Sequence, residues 1–122
     1  MRTISTTSIT ALGSQVADFL DQRMIILFQE NVPPELADYC VLHDGNHLEG
    51  EIQVADILKI KDEAYQITAV GEAVNQNLGS LGHITLSFDG SRAAELPGTL
   101  YLEAKDMPAL EPGDAIQIIR HS

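Results

Sequence analysis

The sequence contains little cysteine, few basic residues and no long apolar run. Cys40 is the only cysteine, which excludes an internal disulfide and agrees with a reducing compartment; we interpret it as a small buried apolar residue. The longest apolar run, Met24–Phe28, has five residues, against about 20 for a membrane span. The first residues lack the roughly 7–15 apolar residues of an export signal. We therefore expect a cytoplasmic protein without direct membrane insertion.

Basic residues are scarce beside acidic ones. Seven lysines and arginines oppose eighteen aspartates and glutamates, which gives a net charge of −11. No basic cluster is dense enough to neutralise a phosphate backbone, so nucleic acid is not an expected partner. The acidic surface favours association with a protein that has a basic docking face.

Short stretches rich in β-branched and apolar residues recur between turn-forming residues, without a linker or an internal repeat. This pattern predicts one domain, residues 1–122, of the all-β class: a small closed or nearly closed β-barrel with one or two short helical turns. The predicted strands are Thr3–Leu12, Arg23–Gln29, Cys40–His43, Leu48–Val54, Ile57–Ile60, Ala64–Val70, His83–Phe88, Thr99–Glu103 and Ala115–Ile119. The predicted helices are Pro34–Tyr39 and Glu72–Leu78, with a further turn at Asp18–Gln22.

His43 is the first candidate for chemistry, because a neutral imidazole is a competent nucleophile near neutral pH. If Cys40 and Leu42 belong to the core, the two-residue period of a strand directs His43 outward. The sequence after it, Asp44-Gly45-Asn46, is typical of a turn with free backbone N–H groups, which can bind phosphate. We thus expect an accessible imidazole at a strand end.

A polar stripe is predicted on the strand that follows Gly82. Alternation directs Ile84, Leu86 and Phe88 inward, and His83, Thr85 and Ser87 outward. Phosphoryl transfer depends mainly on positioning and charge stabilisation, so His83 and Thr85 are candidate phosphate stabilisers. Their proximity to His43 is a hypothesis.

Ordinary structural interpretations stay open for these residues. His43 and His83 are also compatible with surface positions, and Asp44 with a turn former that would repel a phosphorylated imidazole. We interpret His47 and His121 as surface residues and predict no metal site. No nucleotide-binding fingerprint or nucleophile elbow is present, and no cofactor is expected.

The chain resembles the glucitol/sorbitol-specific enzyme IIA component of the bacterial phosphoenolpyruvate-dependent sugar phosphotransferase system. The resemblance covers Ile4 to Ile119. The segments that carry it are Tyr39-Cys40 followed by His43, then Thr68-Ala69-Val70-Gly71, Asn77-Leu78, Leu81-Gly82-His83-Ile84-Thr85-Leu86, Phe88-Asp89-Gly90 and Pro97-Gly98-Thr99.

The resemblance implies that His43 accepts phosphate from the carrier protein HPr and donates it to a cysteine of the IIB component. Sorbitol, also called glucitol, is then phosphorylated during uptake through a membrane-embedded permease, which this chain contacts only indirectly. The phosphoramidate bond of phosphohistidine retains a high phosphoryl-transfer potential. Each transfer therefore needs only in-line approach within a docked complex. Two rival hypotheses remain: a non-catalytic β-barrel interaction or regulatory module, and a barrel that binds a metal or a small sugar.

Overall fold

The computed structural model describes residues 2–45 and 47–121, and at His47 it describes the backbone alone. Strands account for most of the regular structure. They are β1 Arg2–Leu12, β2 Met24–Gln29, β3 Val41–His43, β4 His47–Leu48, β5 Ile57–Ile60, β6 Glu63–Val70, β7 Ile84–Ser87, β8 Thr99–Leu102 and β9 Ala115–Arg120. Three short helices in this part of the chain are α1 Val16–Leu20, α2 Pro34–Ala37 and α3 Val74–Leu81.

Eight of the strands close into a barrel, which confirms the predicted fold class. They follow the order β3-β2-β7-β8-β6-β5-β9-β1, and a pairing between β1 and β3 joins the two ends. The short strand β4 pairs with β1 outside this ring. The pairs β2–β3 and β7–β8 are parallel and the others are antiparallel. Closure pairs strand edges that would otherwise be open to association.

Inward side chains of alternating residues fill the barrel. On β7 and just beyond it, Ile84, Leu86 and Phe88 are buried while Thr85 and Ser87 are only partly buried, as the alternation predicts. The rings of Tyr65 and Phe88 meet edge to face in this core, with centroids 4.9 Å apart. Cys40 is also buried, and burial raises the pKa of its thiol.

The predicted strand Leu48–Val54 is wrong beyond Leu48. Ile52 is buried, which explains its apolar character, but side chains bind the backbone around it. The Ile52 N–H donates to Asn75 Oδ1 at 2.7 Å, and the Gln53 N–H donates to Asp56 Oδ2 at 2.8 Å. These bonds satisfy two of the segment's backbone N–H groups without a neighbouring strand.

The third helix ends later than predicted. We expected it to end at Leu78 before Gly79, whereas it continues to Leu81 and is capped by Gly82. Gly82 has φ +62°, the left-handed conformation that commonly terminates a helix. This later end places the Gly82 carbonyl, rather than a helical turn, next to His43.

Ionisation of Tyr65 should make the folded protein less stable at alkaline pH. Burial, and then the nearby Glu63 and Asp106 carboxylates, raise the pKa of Tyr65 from 10 to about 12. The folded protein keeps this proton to a higher pH than the unfolded chain, so stability falls as the pH rises from 10 towards 12. In urea unfolding near neutral pH, Tyr65→Phe should lower the free energy of unfolding by about 1 kcal/mol, because the hydrogen bond from the hydroxyl to the Asp106 carbonyl is lost. Between pH 10 and 12 the free energy of unfolding of this variant should fall less than that of the wild-type protein.

The exposed Tyr39 provides the control for this prediction. Tyr39→Phe should retain the alkaline decline of the wild-type protein. Parallel declines in wild type and Tyr65→Phe would show that Tyr65 ionisation does not contribute.

Candidate active site

His43 occupies the last position of β3, between two other strands of the barrel. Its neighbours are Ile9 on β1 and Gln29 on the parallel strand β2. The side chain is 0% exposed, so the expectation of an accessible, outward imidazole is wrong.

The error arises from the assumption that Cys40 sets the phase of the strand. Cys40 is buried but precedes β3, which begins at Val41. Within β3, Val41 and His43 are buried and Leu42 is only partly buried. Inward alternation therefore starts at Val41 and includes His43.

Both imidazole nitrogens have partners. Nε2 lies 2.7 Å from the Gly82 carbonyl oxygen, and Nδ1 lies 2.8 Å from Thr7 Oγ1. A carbonyl oxygen only accepts, so Nε2 carries a proton and donates it. In the neutral ring the lone pair is then on Nδ1, where it accepts the Thr7 hydroxyl hydrogen.

Thr7 connects the imidazole to the segment that follows β3. Its Oγ1 lies 3.2 Å from Asp44 Oδ1 and 3.0 Å from the Gly45 carbonyl, and it accepts the Gly45 N–H at 3.1 Å. Asp44 Oδ1 also accepts the Ser8 N–H at 3.0 Å. Asp44 itself is exposed, so its carboxylate is the solvent-facing member of this cluster.

The other predicted site residues, His83 and Thr85, have partners other than His43. His83 Nδ1 lies 3.1 Å from the Leu27 carbonyl oxygen, and its ring stacks on Phe28 with centroids 4.5 Å apart. Thr85 lines a surface depression with Met24 and Tyr101, on the opposite side of β7 from the buried Ile84. The fold therefore brings the Gly82 backbone to His43, and directs Thr85 away from it.

Two of the four histidines were expected at the surface. His121 is exposed, in agreement with that interpretation. Asn46 of the predicted turn and the side chain of His47 lie outside the described residues.

Comparison with known proteins identifies the family. A sequence model of the family described as "PTS system glucitol/sorbitol-specific IIA component" matches residues 4–117. Proteins named PTS system glucitol/sorbitol-specific EIIA component from Shigella flexneri and Escherichia coli (strain K12) are each 35% identical over 117 residues, covering 96% of this chain and 95% of theirs. The chain belongs to this family.

A solved structure agrees with the fold of this IIA component. The crystal structure of a PTS system IIA component from Enterococcus faecalis V583 superposes with a TM-score of 0.84 at 29% identity, covering 95% of this chain and all of that one. Family membership implies a phosphotransferase role and interaction with other proteins of the system. Within residues 2–45 and 47–121, none of the helices of this IIA component is long and apolar enough to cross a membrane.

Sequence reasoning missed Thr7 and Gly82 as neighbours of His43. Thr7 belongs to a run of hydroxyl residues in a long strand, and nothing in that run distinguishes it from Thr6 or Ser8. Gly82 carries a weak signal, because a glycine after a helix often has a positive φ. Only the pairing of β1 with β3 and the position of α3 bring these residues to the imidazole of this IIA component.

Proposed function

We propose that this IIA component carries a phosphoryl group on His43. It accepts the group from phospho-HPr in the cytoplasm and donates it to a IIB component, for the uptake and phosphorylation of glucitol (sorbitol). The observation that supports this role is the imidazole held between Gly82 and Thr7, beside hydroxyl and backbone N–H groups that can bind a phosphoryl oxygen.

The arrangement suits a relay that needs no cofactor. Phosphoryl transfer between histidines needs an oriented nucleophile, an in-line approach and donors for the phosphoryl oxygens. The two hydrogen bonds of His43 orient the ring, and Thr7 and Gly45 supply donors. Since the ring is buried, the docked partner must displace a covering group, and the candidate is the exposed Asp44, whose carboxylate lies 3.2 Å from the hydroxyl that binds Nδ1.

Labelling tests this proposal directly. The full chain is incubated with phosphoenolpyruvate, enzyme I and HPr, and then separated from HPr. We expect about one phosphate per chain, labile in acid and stable in base. Adding the IIB component should transfer the label to a cysteine. A chain that binds HPr but never acquires phosphate would instead be a non-catalytic interaction module.

A further inference from the structure

We infer that the phosphoryl group is carried on Nδ1 of His43, and that Thr7 is the residue that positions it. This inference rests on the proposed function and assigns its reacting atom. It follows from a difference between the two sides of the imidazole: an acceptor faces Nε2, whereas donors gather on the side of Nδ1.

The Nε2 side does not suit a phosphoryl group. The Gly82 oxygen is 2.7 Å from Nε2, in the direction along which an N–P bond would form. Its lone pairs would repel phosphoryl oxygens, and they bind the proton that must leave before Nε2 can attack.

The Nδ1 side has the opposite character. It contains the Thr7 hydroxyl, the Gly45 N–H that donates to this hydroxyl, and the Ser8 N–H one residue along β1. One backbone acceptor, the Gly45 carbonyl, also lies on this side, but it is 3.0 Å from Thr7 Oγ1 and has no hydrogen bond to the imidazole. The Asp44 carboxylate currently accepts the Ser8 N–H and lies within hydrogen-bond distance of the Thr7 hydroxyl. An anionic oxygen therefore already accepts from one of the donors that a phosphoryl oxygen would use and lies 3.2 Å from another, and it belongs to an exposed side chain that can move into solvent.

The transfer then balances without a change of tautomer. The Nδ1 lone pair forms a bond to phosphorus, the bond from phosphorus to the donor histidine nitrogen breaks, and that electron pair returns to the donor ring. The His43 ring becomes cationic and keeps its Nε2 proton, bonded to the Gly82 oxygen, which stabilises the new charge. Asp44 leaves, and its donors bind the phosphoryl oxygens. Attack by a cysteine thiolate of the IIB component returns the electron pair to Nδ1.

Thr7 serves each state through one rotatable hydroxyl. It donates to Nδ1 in the resting neutral ring, where its oxygen lies 2.8 Å from the nitrogen and therefore in the path of the incoming phosphorus. Unlike the Gly82 backbone oxygen, this hydroxyl belongs to a side chain that can turn about χ1, admit the phosphoryl group and then donate to one of its oxygens. Because Thr7 acts through His43, we assign it a positioning role.

The nitrogen assignment is tested on the phosphorylated full chain after HPr has been removed. Phosphohistidine isomers are distinguished by long-range ¹H–¹⁵N correlation and by isomer-specific antibodies. We expect modification at Nδ1. Modification at Nε2 would overturn this inference and leave the proposed function intact. Absence of phosphohistidine would overturn both.

Thr7 variants test the positioning role. Thr7→Val keeps the shape but removes the hydroxyl, and should slow phosphoryl transfer by about tenfold or more with little change in the KM for HPr. Thr7→Ser should restore most of the rate. Thermal unfolding of both variants shows whether they fold. A folded Thr7→Val protein that accepts phosphate at the wild-type rate would exclude the role.

Asp44 variants test the displaced carboxylate. Asp44→Asn removes the charge that repels the incoming phosphoryl group and should raise the equilibrium fraction of phosphoprotein several-fold at low salt. Asp62→Asn changes the same net charge at an exposed position in the turn between β5 and β6 and should have little effect. Equal responses of the two variants, or a decrease with Asp44→Asn, would contradict the displacement.

Discussion

Replacing His43 with glutamine is expected to abolish phosphorylation of this protein by phosphoenolpyruvate, enzyme I and HPr. Glutamine preserves a polar side chain that can donate to the Gly82 carbonyl and accept from Thr7, but its amide is not a nucleophile. Removing a nucleophile typically lowers rates by several orders of magnitude, so incorporated phosphate should fall to background. The measurement is acid-labile, base-stable label per folded chain.

His83→Gln is the matched control for this prediction. It makes the same substitution just before β7, at a ring that stacks on Phe28 and lies near the Leu27 carbonyl. We expect it to be labelled to near the wild-type level. Full labelling of a folded His43→Gln protein would identify another acceptor. Loss of label only in His83→Gln would transfer the role to His83.

Gly82→Ala is expected to damage both stability and phosphoryl transfer. Gly82 has φ +62°, and a methyl group there would lie 2.4 Å from Gln29 Cγ, 2.9 Å from His43 Cε1 and 3.0 Å from His43 Nε2. Backbone strain and overpacking together should cost about 2–5 kcal/mol in urea unfolding. The imidazole should be displaced from the carbonyl that orients it, which would slow labelling.

Gly113→Ala is the control for Gly82→Ala, because it introduces backbone strain without a steric contact to His43. Gly113 has φ +96° and no atom within 4 Å of an added methyl group. Its replacement should cost only the strain of a left-handed residue, about 1–2 kcal/mol, and leave labelling unchanged. If Gly82→Ala matched Gly113→Ala in both measurements, the close approach of Gly82 to the imidazole would be without consequence.

The barrel class was predictable because the sequence patterns that indicate it, alternation and turn spacing, involve residues close together in the chain. Alternation along β7 predicted the burial of Ile84, Leu86 and Phe88, and short β-rich stretches between turns predicted the class. The family resemblance was confirmed by the comparisons, in which the family model matches residues 4–117. The segment after Leu48 failed because apolar burial, at Ile52, also occurs without a strand.

The surroundings of His43 were not predictable from local pattern. A three-residue strand is too short for its own alternation to fix which face is buried, and the buried Cys40 just outside it suggested the wrong face. The partners Thr7 and Gly82 are distant in sequence, and a backbone carbonyl leaves no trace in residue identity. The register of β1 against β3 brings Thr7 to His43, and the end of α3 brings Gly82 to it. Both features depend on tertiary packing.

The pairing of β1 with both β3 and β9 has a consequence for the order of folding. The contacts of β1 with β3, which include the Thr7 pair to His43, span only the first third of the chain, whereas Arg2 pairs with Arg120 near its far end. Folds dominated by such distant pairings form slowly, in about milliseconds to seconds, because a long loop must close first. During synthesis, the imidazole can find its hydroxyl partner early, but the barrel wall that supports Thr7 is completed only when the last strand emerges.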